Sequence, residues 1–138
     1  MQLPRDPRAP RVARATLRAV LSSHGLTACL PDAELLTSEM VTNAVLHSAG
    51  PSSLRVHGTD NEGRVRVSVW DSNPDVPSTF HRAVAPHAPS DGTDLEADGG
   101  RGLLLVRRCA ADWGGHAADG GPADNGRHGK LLWFDVRG

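Results

Sequence analysis

Residues 38–48 read SEMVTNAVLHS, and within them Glu39, Asn43 and His47 are four apart each time. Four residues along an α-helix return to the same side, about 6 Å further along the axis. Met40, Val41, Ala44 and Val45 fall beside that row and need burial. The stretch therefore predicts a helix with an apolar face and a polar row along its edge. An Asn amide oxygen is a hard ligand of the kind that suits Mg²⁺. A carboxylate one turn earlier can order or deprotonate a nucleophile near a metal-bound phosphate. The bland alternative is an exposed helix face, with His47 as an end-of-helix residue favoured by the dipole.

Working outward, the chain divides into recognisable pieces. MQLPRDPRAP at residues 1–10 holds three prolines, so residues 1–9 are expected as a loose arm ahead of one domain over 10–138. A first helix from about Pro10 to Ser23 has Val12, Leu17, Val20 and Leu21 as its apolar side and Gly25 as its stop. A second follows Pro31, carries Asp32 and Glu34 in its first turn, and ends near Gly50-Pro51. Leu54 and Val56, then Val65, Val67 and Val69, alternate with polar residues, and Asn61-Glu62-Gly63 lies between them, predicting a β-hairpin. From Pro74 to Asp98 periodicity is lost, and a loop that long inside a domain is usually functional or disordered. GGRGLLLVRRCAADWG, residues 99–114, opens on glycines and predicts a helix with Leu103, Leu104, Val106 and Ala110 apolar, followed by a short strand from Trp113. HAADGGPADNGRHG reads as a second loop, and LLWFDV as a closing strand. The order α, α, β, β, loop, α, β, β predicts a sheet with helices on one face.

The bulk numbers set limits. The 138 residues fit one domain with one core, and 38 % hydrophobic with 22 % charged residues fits a folded, water-soluble chain. A formal net charge of −1 argues against binding nucleic acid through bulk charge. No apolar run approaches the roughly 20 residues needed to span a bilayer, and the N-terminal residues show no secretory h-region. The expectation is a cytoplasmic protein with no membrane partner. Cys29 and Cys109, eighty positions apart, are then expected as free thiols. The seven histidines show no H-E-x-x-H spacing, which argues against zinc. Arg5, Arg8, Arg11 and Arg14 recur every three residues; a solvated helix face and an arm that touches an acidic partner both fit. Without a recognition motif they do not make a DNA-binding regulator.

Two further stretches carry chemistry. In VSVWDSNP, Asp71 ends a predicted buried strand beside a proline-rich segment. It is placed either to accept from an exocyclic amine such as adenine's or to make a local turn bond. Gly99-Gly100-Arg101-Gly102 precedes a predicted helix, where glycines let the backbone approach a phosphate and free N–H groups favour an anion. Arg101 could add charge-assisted hydrogen bonds.

Taken in order and spacing, these stretches resemble the Bergerat-fold ATP-binding (GHKL, histidine kinase-like ATPase) family, which includes gyrase, histidine kinases and MutL. The chain looks most like the small stand-alone branch, the anti-sigma-factor serine kinases of the RsbW and SpoIIAB type found in actinobacteria. SEMVTNAVLHS resembles the family's N box, VWDSNPDVP its first G box, GGRGLLLVRRCAADWG its second, and GKLLWFDV its last strand. The resemblance implies a two-layer α/β sandwich with a mixed sheet and helices on one face. It implies ATP and Mg²⁺, with Asn43 holding the metal, Glu39 as general base and Asp71 on the adenine amine. Asn73 stands where the family's D-x-G has glycine, the residue most tolerant of positive φ, so altered contact with the base is expected. Gly100, Arg101, Gly102 and Leu103 would line the phosphates, with residues 74–98 as a lid.

The implied activity is a serine/threonine protein kinase acting on a STAS-type anti-anti-sigma protein, with a sigma factor as a further partner and homodimers known in the branch. The competing expectation is a nucleotide-gated protein-binding module without useful kinase activity. Within these residues there is no room for the dimerisation helices of a two-component kinase or for the transducer domain of gyrase or MutL.

Overall fold

The computed structural model describes residues 1–28, 30–58, 63–77, 80, 110–120 and 128–137. Residues 99–109 of the expected second G box, most of the lid, both cysteines and Asn61-Glu62 lie outside the described residues.

Seven elements follow one another: β1 (Gln2–Leu3), α1 (Ala9–Ser23), α2 (Leu30–His47), β2 (Ser52–Gly58), β3 (Arg64–Asp71), β4 (Ala110–Asp119) and β5 (His128–Arg137). The strands form one sheet in the order β1-β2-β3-β5-β4, and each of its four pairings is antiparallel. Alternation decides which side chains meet. Val67 stands opposite both Val56 and Phe134, and Val69 opposite Leu54 and Leu132. These inward residues join Leu17, Leu21, Leu36, Met40, Val41 and Ala44 from the helices in one buried cluster. The protein is thus an α/β sandwich of two layers, helices over one face of the sheet, as the sequence led us to expect, but the expected mixed sheet is antiparallel in every described pairing.

Local chemistry sets the element ends. α1 stops where Gly25 takes a positive φ of 73°. The Leu26 N–H then returns to the Leu21 carbonyl at 2.8 Å and the Gly25 N–H to Ser22 at 3.1 Å, a Schellman closure that tucks Leu26 into the core. Gly63, next to the β2–β3 turn, also has a positive φ, 80°. In α2 the buried residues Leu36, Met40 and Ala44 form one row and Ala33, Thr37 and Val41 the next.

Four further expectations change. The inward side of α1 is Ala9, Ala13, Leu17 and Leu21, and Val12 is exposed. Small alanines let the helix approach its neighbours, a choice that hydrophobicity alone does not reveal. The N-terminal arm is partly structured: Gln2–Leu3 pairs with Ser52-Ser53, Leu3 is buried, and the Leu54 N–H donates to the Met1 carbonyl at 2.8 Å. Its prolines flank a ladder segment rather than prevent one. Ala110, expected at the end of a helix, begins β4 instead. His116–Asp119 and His128-Gly129, read as loop, extend the β4–β5 pairing through Ala117↔Lys130, Ala118↔Gly129 and Asp119↔His128. Backbone pairing with a strong central strand outweighs their weak strand preference.

Glycine is required where β5 crosses the end of β3. A Cβ on Gly129 would collide with the Asp71 carbonyl and approach the Trp70 ring at 2.7 Å. Gly129→Ala should lower the unfolding free energy by roughly 1–3 kcal/mol, the usual cost of overpacking. Gly58→Ala, where a Cβ meets nothing within 4 Å, is the control and should stay within about 1 kcal/mol of wild type in urea unfolding.

Candidate nucleotide site

The polar row lies where the helix pattern puts it. Glu39 and Asn43 are half-buried on α2 and the His47 side chain is exposed. The Asn43 Oδ1 atom is buried and has no hydrogen-bond partner among the described residues. An orphaned amide oxygen costs on the order of 1–3 kcal/mol, which a hard cation would recover. Asn43 therefore fits the Mg²⁺ that the resemblance implies.

The end of β3 meets the end of α2 at one corner. Asn73 Nδ2 donates to the His47 carbonyl at 2.8 Å. The Asn73 N–H donates to Asp71 Oδ1 at 2.8 Å, and its Oδ1 accepts from the Asp75 N–H at 3.0 Å. The Ala49 N–H reaches Ser72 Oγ at 3.4 Å. Asparagine thus does work here that glycine could not. Its amide satisfies a carbonyl left open at the helix end and closes an Asx turn around Pro74. This ties α2, which carries Glu39 and Asn43, to the strand that carries Asp71.

Asp71 is fully buried, facing the helices with Val67 and Val69. Sequence reasoning missed its partner. Lys130 of β5 is 1 % exposed, stands directly opposite Asp71, and donates to Asp71 Oδ1 at 2.9 Å and to the Asn73 carbonyl at 3.2 Å. Asp71 Oδ2 is also 2.9 Å from the ammonium, close enough to pair by charge, but accepts no hydrogen bond of its own. The signal was present in GKLLWFDV. Lys130 shares the inward parity of Leu132, Phe134 and Val136, where a charge needs a buried counter-charge. Gly100, Arg101, Gly102 and Leu103 lie outside the described residues. Among the described residues, Asn73 and Lys130 meet Asp71 directly, and Glu39 and Asn43 lie on α2, whose last-residue carbonyl Asn73 reaches.

The model of the histidine kinase-like ATPase domain family matches residues 3–123, and the chain belongs to that family. Two solved structures are similar, both nucleotide-free forms of the catalytic domain of the histidine kinase ThkA. One is 15 % identical, with 99 % of this chain and 95 % of that one covered and a TM-score of 0.47. The other is 18 % identical, with 93 % and 89 % covered and a TM-score of 0.44. No curated protein matches the sequence. No helix among the described residues is long and apolar enough to cross a membrane.

Removing one member of a buried ion pair strands the other. Lys130→Met should destabilise the fold by roughly 3–5 kcal/mol at neutral pH, and the double variant Asp71→Asn/Lys130→Met should regain much of that loss in urea melts.

Proposed function

We propose that the protein binds Mg-ATP and transfers its γ-phosphoryl group to a serine or threonine of a protein partner. The observation that carries this reading is the buried Asn43 Oδ1, without a hydrogen-bond partner among the described residues and one helical turn from Glu39, on the helix whose last-residue carbonyl Asn73 ties to the Asp71 corner. Asn43 would hold Mg²⁺, which, when bound, offsets the negative charge of the phosphates. Asp71 Oδ2, buried without a hydrogen bond, would accept from the base. Glu39 would take the proton from the attacking hydroxyl as its oxygen bonds to the γ-phosphorus and ADP leaves. Arg101 and the adjoining glycines would meet the phosphates, as the resemblance implies. A STAS-type anti-anti-sigma protein as phosphate acceptor, a bound sigma factor, a homodimer and a cytoplasmic setting belong to the same proposal and rest on the resemblance alone.

One observation favours a second reading. Asp71 already has an ionic partner in Lys130, so nucleotide could serve as a ligand that reshapes a binding surface without phosphotransfer.

Melting with Mg-ATP tests the site. A ligand at about a hundredfold excess over its Kd stabilises the folded state by about 2.7 kcal/mol. An upward shift that disappears in Asn43→Ala supports the pocket, and no shift at millimolar Mg-ATP removes it. Given a phosphorylated partner, Glu39→Ala should slow transfer by about 10²–10⁴-fold, the range for a general base, whereas undiminished transfer would take that role from Glu39.

A further inference from the structure

We propose that the exposed seam between α1 and α2 is a docking groove for an acidic amphipathic helix of a partner protein. The groove shares no residue with the candidate nucleotide site and does not depend on it.

Charge is segregated along the chain. Residues 1–23 hold Arg5, Arg8, Arg11, Arg14 and Arg18 against Asp6 alone, a net charge of +4. The whole chain has 15 basic and 16 acidic residues, so the remainder holds ten against fifteen, a net charge of −5. Three of the five arginines are engaged. Arg5 donates to the Val45 carbonyl at 3.1 Å, Arg8 pairs with Asp6 at 3.1 Å, and Arg18 pairs with Glu34 at 2.8 Å. Arg11 and Arg14 make no hydrogen bond or ion pair among the described residues. Helix stability gives no reason for them. α1 contains no acidic residue to alternate with its arginines, and Arg11 sits in its first turn, where the dipole favours an acid.

A groove of about 700 Å³ lies along this seam. Arg11, Arg14 and Arg18 line it from α1, with Ala15 and Ala19 beside them, and Glu34 and Leu35 line it from α2. Leu35 is 48 % exposed, so an apolar side chain is left in water next to the cations. Glu34 makes two bonds to Arg18, at 2.8 and 3.2 Å, which hold that guanidinium against the α2 side of the groove.

The spacing selects the occupant. Positions 11, 14 and 18 are separated by about 4.5 and 6 Å along the helix axis. Acids at i, i+3 and i+7 of a facing helix repeat the same spacing on one face. Alanines at 15 and 19 let a second helix come close, and Leu35 offers contact to an apolar residue beside the acids. A phosphate surface, whether of nucleic acid or of lipid, fits less well. It would meet the Glu34 carboxylate in the same groove, and it has no use for Leu35 and the alanines.

The test is selection of peptides from a random display library on the full chain. Fluorescence anisotropy at physiological salt then compares the selected peptide, a short DNA duplex and phosphatidylserine vesicles. The selected peptides should carry acids at i, i+3 and i+7 beside an apolar residue. Arg11→Glu/Arg14→Glu should weaken the selected peptide by about tenfold or more, since it sets like charges against each other. Leu35→Asp should weaken it too. Neither arginine has a bond to lose, and Leu35→Asp alters the groove without touching them, so poor folding of one variant leaves the other to decide. Selected peptides without an acidic pattern would overturn the proposal. So would undiminished binding by the folded variants, or tighter binding of the duplex or the vesicles than of the selected peptide.

Discussion

A buried charge at the end of the sheet constrains the rest of the site. Asp71 and Lys130 are both out of water, on paired strands, facing the helix layer. Each would be costly alone, because an isolated ion in the interior loses its hydration. Their pairing fixes the register of β5 against β3 at one end, and Leu132 and Phe134 opposite Val69 and Val67 continue that register into the core. A slip of one residue would turn Lys130 outward and leave Asp71 uncompensated. The glycine before Lys130 belongs to the same constraint, since only a residue without Cβ lets β5 lie this close to the Asp71 backbone.

Asn73 carries that constraint to the helices. Its backbone N–H and carbonyl meet the ion pair, while its side chain meets the last turn of α2. The helix that presents Glu39 and Asn43 is thereby held to the strand that presents Asp71. The segment Asp71-Ser72-Asn73 therefore joins helix to strand through a side chain, where a glycine at position 73 would supply only backbone freedom. The opposite face of the sheet is organised separately. Arg66 makes two bonds to Asp135, at 2.7 and 3.1 Å, and lies 3.9 Å from the centre of the Trp133 ring. The carboxylate raises the guanidinium above its ordinary pKa.

Much of this architecture was legible in the chain. Period-four spacing placed α2 and its polar row, and period-two alternation placed β2 and β3, because one buried face imposes each repeat, while an apolar run placed β5. The family resemblance rested on polar residues at fixed offsets along those elements, and the family match bears out its broad form. The pattern misled where backbone pairing overrides composition. Gln2–Leu3 sits among prolines, and the ends of β4 and β5 are rich in glycine, alanine and aspartate, yet all of them join the ladder. Val12 and Val20 looked like the buried side of α1, whereas Ala9 and Ala13 fill it, since the space left by the neighbouring elements favours small residues there.

The sequence by itself determined the class of fold, the placing of Glu39 and Asn43 one turn apart on α2, and that of Asp71 at the end of β3. These follow from periodicity and from motifs that are local in the chain. Only the tertiary structure decided that Asp71 is paired with Lys130 and that Asn73 ties β3 to α2. Lys130 lies 59 residues from Asp71, and Asn73 lies 26 from His47. No local repeat encodes contacts of such separation; they arise when strands and helices dock, and burial then requires every charge and every open carbonyl to find a partner.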